Sequence, residues 1–256
     1  MPRWFWLCLA ATLLCAQPEP EAQWKAFLAW LSAQPPNSKP ADLLRPYRAE
    51  LIRQGATPAE ADREMERLGH LAFTRPDGAK ILWNKVYGGR DPIFIQTPNA
   101  LVASAIEGRK PGKALDIGMG QGRNAVFLAL QGWDVTGFDP SDEGVRLAQA
   151  HAAKAGVKIR ALVSTDEQFD FGAAQWDLIA MTYIRSLTAR DTERIRRALS
   201  PGGIFVYENG SDRDNQLLRL FLSFRVVRFE DVEAFPDWNP GAKIRLERLV
   251  AEKPLE

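Results

Sequence analysis

The stretch Asp116-Ile117-Gly118-Met119-Gly120-Gln121-Gly122-Arg123-Asn124 places three glycines at alternate positions directly after an apolar run that begins at Ala114. Glycines so placed let the backbone turn sharply and approach a ligand closely, and the helix expected next presents free N–H groups. A ligand carrying a ribose and a carboxylate suits such a loop. The spacing differs from the G-x-G-x-x-G of dinucleotide binders, because Arg123 stands where their third glycine would be. Asp116 supplies a carboxylate that repels a pyrophosphate and attracts an ammonium, which argues further against a nicotinamide cofactor.

Two more carboxylates belong to the same chemistry. Asp139, in Gly137-Phe138-Asp139-Pro140, follows Gly122 by 17 residues and closes the next apolar run. A carboxylate there can accept both hydroxyls of a ribose, whereas capping the helix that follows suits Ser141 better. Asp166, in Ser164-Thr165-Asp166-Glu167-Gln168-Phe169, can accept a hydrogen bond from an exocyclic adenine amine while an apolar neighbour covers the ring. Other catalytic chemistries lack their residues. Both cysteines, Cys8 and Cys15, lie near the amino end, and His70 and His151 are the only imidazoles, so no metal centre, cysteine nucleophile or disulfide framework is expected in the body of the chain.

The elements that must hold these residues alternate from Lys113 onward. Strands are predicted over 114–118, 134–139, 157–164, 176–184 and 202–209, with amphipathic helices between them. Two further runs, at 224–232 and 243–252, alternate as antiparallel edge strands do. The expected fold is α/β: a doubly wound, Rossmann-like, mostly parallel seven-stranded sheet with an antiparallel edge strand, preceded by a small helical N-terminal cap.

Residues 17–79 read as that cap. They hold three helix-like segments punctuated by Pro35, Pro36 and Pro40, the third opening with Thr57 as N-cap and Pro58 at the first helical position. Residues 80–256 form the ligand-binding domain in this division. Residues 1–16, with Arg3 before an apolar run from Trp4 to Ala16, resemble a secretory leader, since 13 residues fall short of the roughly 20 that span a bilayer. Export to the periplasm or beyond is the expectation, and membrane contact only through that leader if it is retained. The chain has 33 Lys and Arg against 32 Asp and Glu, a net charge of +1, which leaves no field to attract nucleic acid. A small-molecule partner is expected; the oligomeric state is left open.

In order, ALDIGMGQGRNAVFLALQGWDVTGFDPS, VSTDEQFDF, WDLIAMTYI and LSPGGIFVYE resemble the class I S-adenosylmethionine-dependent methyltransferases, and most closely the tellurite-resistance-type small-molecule branch. The resemblance covers roughly residues 80–209. It implies S-adenosylmethionine as cofactor, with Asp116, Ile117, Gly118, Gly120, Gly122 and Asn124 along its methionine and ribose. Asp139 and Pro140 would hold the ribose, Asp166 and Glu167 the adenine side, and Met181 would lie near the sulfonium. Tyr183, with Tyr87 from the segment before the first strand, would meet the acceptor. Trp83, Phe94 and Trp238 are further candidates to cover it.

No catalytic residue is assigned from the sequence. A sulfonium is already a strong methyl donor, so transfer is governed mainly by proximity and orientation, and a general base is needed only for an acceptor that arrives protonated. Tyr183 and Glu208 are the candidates for that role. The amino-methylation signature N-P-P-Y is absent after the fourth strand, where the chain reads Met181-Thr182-Tyr183-Ile184. A non-catalytic protein that only binds the cofactor is the alternative reading. An exported domain also conflicts with a cofactor made in the cytoplasm.

Overall fold

A computed structural model describes residues 20–36, 40–75, 78–88, 93–211, 214–238 and 241–255. The leader at residues 1–16 lies outside them. Seven strands form one sheet: β1 (Lys113–Ile117), β2 (Asp134–Asp139), β3 (Arg160–Val163), β4 (Trp176–Thr182), β5 (Leu199–Gly210), β6 (Arg225–Ala234) and β7 (Ile244–Glu252), in the order β3-β2-β1-β4-β5-β7-β6. The first five run parallel, and β7 runs antiparallel to both β5 and β6. The two closing strands thus make an antiparallel margin, with β7 inserted and β6 outermost. The order reverses between β1 and β4, which opens a crevice at their carboxyl ends.

Nine helices accompany the sheet among the described residues: α1 (Pro20–Ala33), α2 (Pro40–Arg53), α3 (Pro58–Thr74), α4 (Gly78–Tyr87), α5 (Ala100–Ala105), α6 (Arg123–Leu130), α7 (Asp142–Ala155), α8 (Ala189–Ala198) and α9 (Gln216–Leu220). Both faces of the sheet are covered. Leu101 and Val102 of α5 and Ala125 and Leu128 of α6 pack with Val135, Leu178 and Val206, while Ile195 of α8, Leu217 of α9 and Phe221 pack with Ile179 and Phe205 opposite. Strands buried on both faces read as continuous apolar runs, as β1 and β4 do.

Local chemistry explains where elements start and stop. Thr57 caps α3 in a capping box with Glu60, as its spacing predicts, and Thr188 caps α8 in the same way with Asp191. β3 is shorter than the predicted 157–164, because Gly156 closes α7 in the left-handed conformation and Val157 N–H donates back to Ala152 O. β4 ends at Thr182 because Tyr183 adopts φ 58, outside the extended region.

α4 was not predicted as a helix. It packs with the preceding helices in one apolar cluster that includes Trp24, Phe27, Tyr47, Leu68, Leu82 and Val86, and that cluster reaches Leu147 of α7. Asn84 of α4 fastens it to the sheet domain, accepting from the Ser141 hydroxyl at 2.7 Å. No helix among the described residues is long and apolar enough to cross a membrane.

Candidate functional site

The crevice at the carboxyl ends of β1 to β4 opens into a cavity of about 1090 Å³. Its floor is the glycine loop between β1 and α6. Gly118 and Gly120 have φ of 61° and 52°, in the left-handed region. A Cβ on Gly120 would lie 2.6 Å from the Tyr87 hydroxyl, and one on Gly118 would collide with the Ile184 side chain. Both glycines are therefore required by conformation and by space. The loop is held from below, where Met119 N–H donates to Phe138 O at 2.9 Å and Gly122 N–H to Met119 O at 2.8 Å.

Asp139 closes β2 beside this loop. It is buried, with Oδ2 accepting from Gly120 N–H and Oδ1 from Ser141 N–H, each at 2.9 Å. Burial raises its carboxyl to about 6, and the two N–H donors oppose that rise. Each oxygen keeps a second lone pair for a ligand hydroxyl.

Asp116 is buried as well. Burial raises its carboxyl to about 7, opposed by the Arg123 guanidinium and the Ala125 N–H. Two buried acids standing so far above their ordinary 3.8 mark a place prepared for a cationic or hydrogen-bonding ligand.

Ten of the residues expected from the sequence line the cavity together: Tyr87, Ile117, Gly118, Gly120, Asn124, Asp139, Pro140, Asp166, Glu167 and Tyr183. Three others stand behind its wall. Asp116 lies beneath the loop. Gly122 caps α6 at φ 78°, and a Cβ there would sit 2.8 Å from the Ala148 side chain, so its smallness admits α7. Met181 points into the apolar core with Leu115, Ile179 and Phe205, while its neighbour Thr182 faces the cavity.

Asp166 is more constrained than the sequence suggests. Its Oδ2 accepts from Arg185 Nε at 3.0 Å and from Arg185 Nη2, and the same guanidinium also pairs with Asp191 at 2.8 Å. These partners hold Arg185 charged and pull the Asp191 carboxyl down to about 2. Arg185 was not anticipated, since no local pattern marks a partner 19 residues from Asp166.

Tyr183 anchors a second network. Its hydroxyl donates to Glu208 Oε1, which also accepts from Asn99 Nδ2 at 3.2 Å, while Glu208 Oε2 takes Arg248 Nε at 2.7 Å. Burial and the neighbouring carboxylate push the Tyr183 phenol well above its ordinary value, so it stays protonated and serves as a donor. Glu208 is buried behind it. Arg123 and Asp237 pair beside them at 2.9 Å, and Trp238 meets the Tyr183 ring edge-on with centroids 6.2 Å apart. Arg123, Gln121 and Ile184 also line the cavity; Arg123 and Gln121 were legible as neighbours of the glycines, Ile184 was not.

Residues 114–203 match the protein family described as a methyltransferase domain. That stretch carries a methyltransferase domain, and the chain is similar to S-adenosylmethionine-dependent methyltransferases. It is similar to the ubiquinone biosynthesis O-methyltransferase of Methylobacterium nodulans, with 35% identity over 128 residues, 46% of this chain and 44% of the relative. It is also similar to the probable S-adenosyl-L-methionine-dependent methyltransferase TehB of Haemophilus influenzae, with 26% identity over 138 residues, 50% of this chain and 46% of the relative. The chain spans less than half the length of these curated relatives. The crystal structure of TehB from Haemophilus influenzae shares the fold, with a TM-score of 0.51 at 20% identity, covering 68% of this chain and 66% of the other.

Proposed function

We propose that this methyltransferase moves a methyl group from S-adenosylmethionine to a small-molecule acceptor by in-line displacement. One observation carries the reading. The Gly120 backbone and the buried Asp139 carboxylate are joined by a 2.9 Å hydrogen bond at the cavity floor, in a cradle that any side chain on Gly120 would fill. Such a floor suits a ribose, with Asp139 accepting its hydroxyls, and the Asp116 carboxyl beneath the loop favours the adjoining ammonium.

When bound, the cofactor would supply a methyl group on positively charged sulfur, an electrophile that leaves the sulfur its electron pair once an acceptor lone pair takes the methyl. The residues of this chain contribute orientation. The Gly118–Gly120 backbone fixes the depth of the ligand, and Phe138 and Ile117 give its ring an apolar bed. Arg185 holds Asp166 with Oδ1 left to take an adenine amine. Thr182 and Tyr183 at the end of β4 bound the place where the acceptor must approach.

A labelled-methyl assay tests this reading. Full-length protein and methyl-labelled cofactor are incubated with panels of small phenols, thiols and amines, and label in extractable product supports transfer. Tight cofactor binding without product from any acceptor favours the non-catalytic reading, which has its own observation: Glu208, the candidate base, is buried behind Tyr183 and neutralised by Arg248.

A further inference from the structure

The half of the cavity beyond the glycine loop differs in character from the floor. Trp83 of α4, Phe94, Ile184, Trp238 from the β6–β7 connection and Ile244 at the start of β7 complete its wall, which includes the edge-on contact of Tyr183 and Trp238. Three of the four arginines that line the cavity are paired with carboxylates. Arg75 faces Glu21 at 2.8 Å, Arg123 faces Asp237 at 2.9 Å, and Arg185 is shared by Asp166 and Asp191. A fourth arginine, Arg45, is exposed, where water screens it. An oxyanion entering here would have to draw a guanidinium away from a carboxylate and leave that carboxylate uncompensated.

Size points the same way. The cavity, about 1090 Å³, stands at the upper end of the range for organic-ligand sites, and its aromatic half lies beyond the glycine floor. A small inorganic anion would leave most of the aromatic wall uncovered.

Building on the methyltransferase reading, we propose that the acceptor is a neutral molecule with a flat apolar body, seated against the Tyr183–Trp238 corner. Its body replaces water on the Trp238 and Ile244 side chains, and its nucleophilic atom approaches beside Thr182. The paired arginines hold the wall in shape and bind no part of the acceptor.

The test uses full-length protein saturated with S-adenosylhomocysteine. The protein is titrated with N-phenyl-1-naphthylamine, a neutral aromatic that brightens in apolar surroundings, and the bound probe is then challenged with benzoate and with tellurite. One saturable site is expected, weakened about tenfold by Trp238→Ala and by Ile244→Asp, with neither anion displacing the probe. Displacement by either anion, absence of a saturable site, or an affinity that both variants leave unchanged overturns the proposal. S-adenosylhomocysteine affinity is measured first on each protein. A variant that keeps it is folded, and a folded wild type without it overturns the cofactor reading itself.

Discussion

The floor and the roof of the cavity are built from different material. The floor is mostly backbone: glycines in left-handed conformations, a turn tied to β2, and two buried carboxylates that accept main-chain N–H groups. The roof is mostly side chain, delivered by α4, the segment around Phe94, the end of β4 and the β6–β7 connection. A backbone floor recognises what every member of a cofactor-sharing family must hold, while a side-chain roof can change its ligand by single substitutions. Changes to the floor are therefore expected to act on cofactor binding, and changes to the roof on the acceptor.

The largest expected effect is at the floor. Gly120→Val puts a side chain into the cradle at a φ that a β-branched residue avoids, and S-adenosylhomocysteine binding should fall by at least about a hundredfold in calorimetry, with circular dichroism confirming the fold. Binding close to wild type would break the comparison. Asp139→Ala should weaken cofactor binding by about 1–3 kcal/mol, because hydrogen bonds to a charged group are lost, and the same titration reads it.

Asp116→Asn sharpens the comparison through pH. The Asp116 carboxyl is raised to about 7 in the folded chain from an ordinary 3.8, so the folded chain binds the proton more tightly than the unfolded one. The stability this gives is complete below pH 4 and is lost as pH rises to 7. Asparagine, which cannot ionise, should therefore raise the Tm of ligand-free protein by about a few degrees above pH 7 and leave it unchanged near pH 4. A constant difference across that range would contradict the buried-acid account of the floor.

The smallest effect is expected where roof meets floor. Tyr87→Phe removes the hydroxyl above Gly120 but keeps the ring that packs edge-on to Phe94, so cofactor affinity should fall by about two- to tenfold, measured against the unchanged melting curve. No change would place Tyr87 wholly on the acceptor side.

The same division explains what could be read from the amino-acid sequence. The glycines, Asp116 and Asp139 lie within 24 residues and follow strand periodicity, so local pattern alone brings them to one end of the sheet. The buried strands and the capped helices were legible for the same reason. Arg185 meeting Asp166, Tyr183 meeting Glu208, and Trp238 folding over Tyr183 depend on sheet order, and no local signal records that β7 inserts between β5 and β6. Met181 illustrates the limit from the other side: its position at the end of β4 was readable, but the face to which it points was decided by the pleat and by packing against Phe205. α4 carries Trp83, Asn84 and Tyr87, and its place is set by packing against α1 to α3 and α7, contacts that depend on the tertiary fold.

Calorimetric titration of the full-length protein with S-adenosylhomocysteine, with Asp139→Ala as its partner, tests the central claim most directly. One-to-one binding in the micromolar range, weakened at least about fivefold in the folded variant, is the predicted result. A folded wild type that takes up no S-adenosylhomocysteine, or a variant that binds it equally well, would contradict the assignment of the Gly118–Gly120 and Asp139 floor as the cofactor seat.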